Sequence, residues 1–467
     1  METPAPLQPD EKATTLTTLS QLLVSIEEST AVLRESIKKQ LSSSSDDLDF
    51  SEIAASTLHL QFHSDASVAL HASKLRVACE RLAQVVTPPR HLVFEAAGSF
   101  YITAALDITV KSDIATIIHT HSSQSGAEGV PVDVLAQESK LDSDLLARLI
   151  RHLAVFGIFK EISLNTFANT AASSTLIDNP EFRAHLDLIM HEGRAAIPFF
   201  PEIVSKRYSD AVPPPSAFFL YSNGQLFYDW LHSPSQTDRN ANFNIAMRGM
   251  AHTEGLAFLP AGKSVPPFSD YPFHALPADK LIVDVGGGIG SLPTILLPSL
   301  PDHSFIIQDL EPVVNQAVEG ASLSMKLWMD QGRIRFLVQD CFTPQPSELD
   351  GAVFILKNMI HNYPDSRALA ILSNLCKTNP YKLLVIDRLV IPQLKSDNNQ
   401  SLTVPHGGTG SQRAATFYDL VMASLHGGKN RTLEDWRKLL EQGGFKLEKI
   451  YPLRASTGQA VIEASCS

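Results

Sequence analysis

The stretch Leu281-Ile-Val-Asp-Val-Gly-Gly-Gly-Ile-Gly290 decides how this chain folds. A short apolar strand ends in an acid and runs into a glycine turn, and Leu292, Ile295 and Leu296 begin a helix directly behind it. Such a turn lets the backbone approach a ligand closely, and the start of the helix presents free N–H groups. A dinucleotide site has the pattern G-x-G-x-x-G. Here the glycines alternate and Ser291 stands where the last glycine would be, so the segment predicts a ligand-binding turn of another kind.

From residue 281 onward, strand-like and helical segments alternate, which predicts an α/β domain, 281–467, built on a doubly wound parallel sheet. The candidate strands span residues 281–285, 304–308, 334–338, 353–357 and 383–387, followed by a terminal antiparallel hairpin at 446–451 and 459–464. The segment 393–412 is rich in Ser, Gly, Asn and Gln. It therefore predicts a long loop beside the active face of the sheet.

The composition is typical of a soluble globular protein of two or three domains. The chain has 467 residues, of which 44% are hydrophobic and 19% are charged, and its net charge is −12. An acidic balance argues against binding nucleic acid through its phosphates, which requires a basic surface. The four cysteines lie without metal or disulfide spacing, which fits a reducing compartment.

The sequence gives no sign of export or of a membrane span. The first residues lack a basic region followed by an apolar core, so they do not resemble a secretory signal. We find no apolar run near the roughly 18 to 20 residues needed to span a bilayer. We therefore expect a cytoplasmic protein that binds neither membrane nor nucleic acid. No His, Asp and Glu cluster has metal-ligand spacing, so we expect no metal.

The first 90 residues predict a helical extension. Residues 14–40 and 67–85 place apolar side chains at helical spacing, and the serine-rich stretch 42–47 between them is typical of a solvated linker. An amphipathic extension of this kind packs on a partner subunit more often than it does chemistry. We therefore expect a homodimer.

Residues 91–210 predict a mostly helical domain with a winged-helix pattern. The pattern consists of helical segments at 132–139 and 142–154, joined by a tight turn, and a strand at 157–162. A winged helix can bind DNA or serve as a scaffold or dimerisation unit. The second helical segment carries only Arg148 and Arg151 as basic anchors, so we favour dimerisation.

Acids stand at the ends of three successive predicted strands, where ligands of open α/β sheets bind. These acids are Asp284, Asp309 and Asp340. Asp309 lies about twenty residues after the glycine turn, where a ribose diol needs a carboxylate acceptor. Asp340 can meet an adenine amino group, and the apolar residues after it can cover the base. One such acid would be an ordinary helix cap or solvated residue, but three at successive strand ends predict a nucleoside site.

Further motifs extend this pattern along the chain. They are Gln308-Asp-Leu310, Gln339-Asp-Cys-Phe342, Leu356-Lys-Asn-Met-Ile-His-Asn362, Gly427-Gly-Lys-Asn-Arg-Thr432, Tyr221-Ser-Asn-Gly224 and Phe243-Asn-Ile-Ala-Met247. With them the chain resembles the O-methyltransferases of plant caffeate and flavonoid metabolism and their fungal relatives, over roughly residues 95–465. The resemblance implies a Rossmann-like class I sheet that binds S-adenosylmethionine (SAM), preceded by a winged-helix dimerisation domain. Linker helices at 211–280 would line the substrate pocket.

The resemblance also implies roles for individual residues. The implied cofactor-binding residues are Asp284, Gly286, Gly288, Gly290, Asp309, Leu310, Asp340, Cys341, Phe342 and Lys357. His361 becomes the general base, because a phenol with a pKa near ~10 is a poor nucleophile until a neutral imidazole takes its proton. The implied substrate side is apolar and flat, with Phe243, Met247, Thr253, Phe417, Tyr418 and Met422.

Two positions depart from the family pattern. The family orients its histidine with two acids, and Asp387 at the end of the fifth strand can serve as the first. The second position holds Asn430, whose amide keeps the shape but lacks the charge that stabilises an imidazolium. The adenine-side methionine usual in the family is replaced by Cys341.

Three functions remain open from the sequence. The first, which we favour, is methyl transfer to a phenolic or enolic secondary metabolite, with His361 as base and Asp387 as its support. In the second, the chain resembles the fungal O-methyltransferase-like pericyclases of polyketide–pyridone pathways, which bind SAM without using its methyl group. Lys357, Thr253 and His361 would then polarise the substrate for dehydration and ring closure. The third is a catalytically silent winged-helix regulator.

Overall fold

The structure, a computed structural model, describes residues 9–41, 66–205, 215–253, 271–392, 408–453 and 458–466. The chain divides into two units, the first formed by Met1–Arg183 and Gly407–Gly410 and the second by Ala184–His406 and Ser411–Ser467. The predicted linker 42–47 and the predicted loop as far as residue 407 lie outside the described residues.

The first unit begins with helices. They are α1 (Pro9–Leu41), α2 (Ala66–Val86), α3 (Pro89–Gly98), α4 (Phe100–Lys111) and α5 (Ile114–Ser125). The helices predicted at 14–40 and 67–85 are both present. The span Pro89–Lys111 is long and apolar enough to cross a membrane by length and composition alone, so the expectation that no run reaches that length is wrong. A core helix of a soluble protein passes the same test, and the finding is weak evidence for a membrane.

The rest of the first unit combines short helices with a small sheet. Its elements are β1 (Val130–Pro131), α6 (Val132–Ser139), α7 (Ser143–Val155), β2 (Phe159–Ser163), β3 (Thr166–Asn169) and α8 (Ala171–Ser174), with the strands ordered β1-β3-β2. The predicted order of helix, turn, helix and strand is therefore present. Helix α7 begins after Asp142, whose side chain accepts a hydrogen bond from the backbone N–H of Leu145. It buries Leu146, Ile150 and Leu153, which lie at helical spacing.

Carboxylates accompany both arginines of α7. Arg151 donates to the two carboxylate oxygens of Glu161 at 2.7 and 2.6 Å. Arg148 lies 3.7 Å from Asp144 on the same helix. Because these carboxylates offset both positive charges, α7 offers little attraction to a phosphate backbone, which a DNA-binding helix needs.

The second unit begins with helices that pack around an apolar core. They are α9 (Pro180–Leu188), α10 (Arg194–Ala196), α11 (Phe200–Ile203), α12 (Ala217–Tyr221), α13 (Phe227–Leu231) and α14 (Thr237–Thr253). Their core contains an aromatic cluster formed by Phe218, Phe227, Trp230 and Phe243, in which Phe218 meets Phe227 edge-on with ring centroids 5.1 Å apart. Phe227 of this aromatic cluster also meets the ring of His426 edge-on, with centroids 5.0 Å apart.

A mixed sheet forms the rest of the second unit. Its strands are β4 (Ile282–Val285), β5 (Phe305–Asp309), β6 (Ile334–Val338), β7 (Val353–Lys357), β8 (Lys382–Val390), β9 (Arg431–Thr432), β10 (Phe445–Pro452) and β11 (Gln459–Cys466). The helices between them are α15 (Ser291–Leu296), α16 (Glu311–Glu319), α17 (Leu323–Asp330), α18 (Asp365–Cys376), α19 (Gly408–Leu425) and α20 (Leu433–Gln442). The strand order is β10-β11-β8-β7-β4-β5-β6, with β9 paired to β8. Strands β4 to β8 run parallel, and β11 runs antiparallel to both β8 and β10, which confirms the predicted sheet and its terminal hairpin.

Both faces of the central strands are buried, which explains why they are nearly continuous apolar runs. On β4, Ile282 belongs to the apolar cluster on one face and Val283 to the cluster on the other. Two boundaries differ from the sequence-based ones. Strand β8 continues to Val390 because its last two residues pair with β9. Residues 408–412, predicted as loop, begin helix α19.

Candidate active site

The predicted glycine turn joins β4 to α15. Gly286, Gly288 and Gly290 have φ angles of +66°, +58° and +84°, which L side chains rarely adopt. A Cβ atom on Gly290 would lie 2.8 Å from a side chain of β5, whereas one on Gly288 would meet open space. Gly287, which the sequence did not single out, is also required, because its Cβ would lie 2.7 Å from Oδ2 of Asp284. The turn is therefore tightly packed at its ends and open at its middle.

Asp309, at the end of β5, is bonded to this turn. Its Oδ2 accepts a hydrogen bond from the backbone N–H of Gly288 at 2.9 Å, and its Oδ1 accepts one from Leu310 N–H at 2.8 Å. Burial raises the pKa of Asp309, and these two hydrogen bonds act against the rise. The carboxylate predicted to meet a ribose is thus fixed directly against the open part of the turn.

Asp284 is a buried carboxyl at the end of β4. Burial raises its pKa to about 7, the positive charge of Lys357 acts in the opposite direction, and the charge of Asp309 adds to the rise. Lys357 ends β7, the strand next to β4. A carboxyl with a pKa near neutrality that lies next to an open backbone turn is a candidate functional group.

The acid at the end of β6 organises the segment that follows it. Oδ1 of Asp340 accepts a hydrogen bond from the backbone N–H of Phe342 at 2.9 Å. Burial, and after it the charges of Asp340 and Asp309, raises the pKa of the Cys341 thiol to about 12. The Phe342 ring lies 3.7 Å below the guanidinium of Arg367. Asp309 and Asp340 therefore lie close enough to Cys341, a residue predicted to cover the base, for their charges to act on its thiol.

His361 and Asp387 form a buried pair, in which His361 lies on the short 3-10 helix Ile360–Asn362 just after β7 and Asp387 lies within β8. The Nδ1 atom of His361 lies 2.6 Å from Oδ1 of Asp387, and the two side chains are 5% and 1% exposed. The same carboxylate oxygen accepts a hydrogen bond from Arg388 N–H at 2.8 Å. Because an ionised carboxylate only accepts, Nδ1 carries the proton and Nε2 keeps its lone pair. No residue in the described part of the chain hydrogen-bonds to Nε2.

Two residues far along the chain hold the backbone around His361. The buried guanidinium of Arg431 donates to the carbonyl oxygens of Ile360 and Tyr363 at 3.3 and 2.9 Å. Gly428 packs so closely that a Cβ atom there would lie 2.1 Å from the carbonyl oxygen of His361. The Gly-Gly-Lys-Asn-Arg-Thr motif therefore positions the histidine through its backbone.

Asn430, predicted as the second orienting group, makes no hydrogen bond to His361. Its Nδ2 donates to the carbonyl oxygen of Ala415 at 3.0 Å, and its backbone N–H donates to Asp419 at 2.7 Å. Its Oδ1 is buried and has no hydrogen-bond partner within the described residues. The amide nitrogen is directed to α19, and the role of Asn430 in catalysis stays a prediction.

Three predicted substrate-side residues, Phe243, Met247 and Met422, pack in the interior of the second unit. Phe243 lies edge-on to Phe227 and to Tyr228, with centroid distances of 5.7 and 6.0 Å. Met247 packs against the same core, and Met422 is buried on α19. Their contact with a substrate stays a prediction.

The other three predicted substrate-side residues are placed differently. The hydroxyl of Tyr418 lies 2.8 Å from Nε2 of His185, and its ring lies 3.7 Å below the Arg388 guanidinium, so Tyr418 has structural partners. Phe417 is an exposed residue of α19. Thr253 is the last residue of α14, and its side chain lies outside the described residues.

Sequence reasoning missed two side chains beside His361, namely Tyr228 and His426. The amide of Asn362 donates to the Tyr228 hydroxyl at 3.4 Å. The His426 ring stacks on the Tyr228 ring with centroids 5.0 Å apart. Burial, and after it the charge of His361, lowers the pKa of His426 to about 3. The only indication in the sequence that His426 lies near the site is its position directly before the glycine-rich motif Gly427–Thr432.

The parallel sheet with a terminal hairpin, the glycine turn and the strand-end acids define a class I SAM methyltransferase fold. Comparisons with known proteins show which proteins the chain is similar to. Residues 268–446 match the O-methyltransferase domain. O-methyltransferase tpcA of Aspergillus fumigatus is 27% identical over 427 residues, covering 83% of this chain and 85% of the relative.

Solved structures share the fold. NcsB1, an O-methyltransferase from neocarzinostatin biosynthesis in complex with SAM and 2-hydroxy-5-methyl naphthoic acid, has a TM-score of 0.56 and is 21% identical, covering 79% of this chain and 96% of that one. LepI, a pericyclase solved in complex with SAM, has a TM-score of 0.63 and is 21% identical, covering 90% of this chain and 100% of that one. These findings confirm the predicted resemblance: residues 268–446 match an O-methyltransferase domain, and the chain is similar to fungal O-methyltransferases.

Proposed function

We propose that this protein is a SAM-dependent O-methyltransferase that acts on a phenolic or enolic secondary metabolite. The observation that carries this proposal is the buried His361–Asp387 pair, with its 2.6 Å contact between the segment after β7 and strand β8. Asp387 fixes the imidazole tautomer, and Nε2 remains without a partner from the described residues. This is the arrangement that a general base requires.

The residues at the strand ends fit SAM. The middle of the glycine turn is open to an approaching ligand, and Asp309 is fixed beside it, where a carboxylate can accept from ribose hydroxyls. Asp284, whose pKa is near neutrality, would be favoured in its ionised form by a cationic group. Asp340 and Phe342 would contact the adenine, and Lys357 would lie near the methionine end. When bound, SAM supplies an electrophilic methyl group on a sulfonium.

In this function His361 takes the proton of the substrate hydroxyl at Nε2. The Nδ1–H stays hydrogen-bonded to Asp387, whose negative charge stabilises the imidazolium that forms. The aromatic cluster and Tyr228 provide flat apolar walls, which fits an aromatic or polyketide-derived substrate.

Mass spectrometry of products tests the proposal. Purified protein is incubated with SAM and a panel of phenols, enols and pyridone alcohols. We expect a product one methyl group heavier, equimolar S-adenosylhomocysteine, and loss of both with His361→Ala. If the wild type binds SAM but yields no methylated product from any acceptor, the proposal is wrong.

A second candidate is dehydration or pericyclic ring closure of a polyketide–pyridone, with SAM bound but not consumed. The observation in its favour is that Asn430 gives the histidine no second acid and is directed into α19. A fixed positive charge and hydrogen-bond donors would then matter more than a strong base. The same assay separates the two, since this candidate predicts a product that has lost water or isomerised, with no S-adenosylhomocysteine formed.

A further inference from the structure

His426 stands next to the catalytic pair without belonging to it. Its backbone N–H donates to the carbonyl oxygen of Met422 at 3.0 Å, which caps the end of α19. Gly427 follows with a φ of +67°, and Gly428 then packs on the carbonyl oxygen of His361. This turn keeps His426 close to the backbone of the catalytic histidine.

The His426 ring is oriented by aromatic packing. It stacks on Tyr228 with an interplanar angle of 28° and meets Phe227 edge-on at 82°, with both centroids 5.0 Å away. No residue within the described ranges hydrogen-bonds to its ring nitrogens, and the residue is half-buried. The ring therefore offers polar atoms from an otherwise apolar wall.

The imidazole is neutral throughout the physiological range. Burial and the neighbouring charge of His361 both disfavour its protonated form, which holds its pKa at about 3. A neutral imidazole has one N–H donor and one acceptor nitrogen. Aromatic rings surround this imidazole. A ligand with an oxygen next to the imidazole would form a hydrogen bond with it, and a ligand without that oxygen would leave the ring nitrogens unpaired.

We propose that His426 is a specificity-determining residue that hydrogen-bonds a second substrate oxygen, placed ortho or peri to the hydroxyl whose proton His361 takes. This inference rests on the proposed function and names its substrate class: aromatic or enolic compounds with two adjacent oxygens, such as catechols and peri-hydroxylated naphthalenes. A site built to hydrogen-bond a polar group discriminates strongly against the analogue that lacks it.

The test compares matched acceptors that differ by one oxygen. The pairs are 2,3-dihydroxynaphthalene with 2-naphthol and 1,8-dihydroxynaphthalene with 1-naphthol. Dissociation constants are measured by calorimetry in the presence of S-adenosylhomocysteine, and kcat/KM is measured with SAM. We expect the wild type to prefer at least one dioxygenated acceptor by about tenfold in both quantities.

Variants at position 426 separate hydrogen bonding from packing. His426→Phe keeps an aromatic ring against Tyr228, and we expect it to bring the ratios of kcat/KM and of the dissociation constants for the two acceptors of a pair close to one, whatever the absolute turnover. His426→Gln keeps a polar group, and we expect it to restore part of the preference. A preference that survives in His426→Phe, with its melting temperature close to that of the wild type, would overturn the inference.

The two proposals fail in different ways. Preferential binding of the dioxygenated ligand without any methyl transfer would leave the inference standing and sink the methyltransferase. Methyl transfer with equal kcat/KM for both members of each pair would support the methyltransferase and contradict the proposed role of His426. His361→Ala should abolish turnover and keep the binding preference, because the preference belongs to His426.

Discussion

Asp387 sets the protonation pattern of His361 because its buried carboxylate can only accept a hydrogen bond from Nδ1. In Asp387→Asn the amide can donate instead, which would place the imidazole proton on Nε2 and block the base. We expect kcat to fall by about 10²- to 10⁴-fold with little change in KM. Steady-state kinetics checks this. Asp435→Asn, the same substitution at the N-cap contact of α20, is the control and should keep kcat.

The side chain of Asn430 contacts α19, whereas the family pattern places an acid that orients the histidine at this position. A glutamate there would restore the family's second acid, but the Asn430 amide donates to Ala415 and not to the histidine. We expect Asn430→Glu to leave kcat at or below the wild-type value. The buried carboxylate would face a carbonyl oxygen and should cost on the order of 1–3 kcal/mol of stability. An increase in kcat would show that this side chain reaches His361 during catalysis.

Asp284 makes stability depend on pH in a defined direction. Its pKa is about 7 in the folded protein and near ~3.9 in an unfolded chain. The folded state therefore holds the proton longer, and the free energy of unfolding should fall as pH rises from about 4 to about 7. His426, with its lowered pKa, changes stability in the opposite direction below about pH 6.5.

The contribution of Asp284 is isolated by comparing the wild type with Asp284→Asn. Urea denaturation at pH 5 and pH 8 gives the free energy of unfolding of each protein. We expect the wild type to lose up to about 3 kcal/mol more than the variant over this interval, from roughly 1.4 kcal/mol for each of the two pH units between pH 5 and the folded pKa. Equal pH dependence in both proteins would contradict a raised pKa at this carboxyl.

At the scale of elements, the turn at 426–428 and the short 3-10 helix Ile360–Asn362, which carries His361, are packed backbone to backbone. A methyl group in Gly428→Ala would lie 2.1 Å from the carbonyl oxygen of His361. We expect kcat to fall at least about 100-fold, because a misplaced base costs that much even for small shifts.

Gly443→Ala is the matched control for this prediction. Its Cβ would lie 2.7 Å from Leu372, so it introduces a comparable clash away from His361. Both variants should lower the melting temperature, but kcat per folded molecule should fall only for Gly428→Ala. Similar kcat losses in both variants would mean that general destabilisation, not the position of His361, causes the effect.

The elements differ in how far the sequence predicts them. Strands of the sheet were found within a residue or two at most ends, because buried parallel strands are continuous apolar runs bounded by polar residues. The extension of β8 was missed because it depends on pairing with β9, more than forty residues away. The acids and His361 were placed correctly at strand ends. His426, Tyr228 and the contact of Gly428 depend on long-range packing, which spacing along the chain does not encode.

At the scale of the whole molecule, helices α3 and α4 expose large apolar side chains. Exposing them to water gives a monomer no stabilisation. Val93 and Phe94 are 72% and 79% exposed, and Phe100 and Tyr101 are also exposed. Exposed apolar surface of this kind marks a site of association with a protein or a membrane. The homodimer expected from the sequence stays a prediction, and these residues are where we expect its contact.

The double variant Phe94→Ser/Phe100→Ser tests that contact. Burying both rings in a dimer would contribute several kcal/mol, at about 1.5–3 kcal/mol for each buried aromatic side chain. We expect light scattering after size exclusion to give a mass near twice 51.0 kDa for the wild type and near 51.0 kDa for the variant. Leu164→Ser, at another exposed apolar position, is the control and should stay dimeric. A wild type that is monomeric but floats with liposomes would assign the surface to a membrane, and the dimer would be wrong.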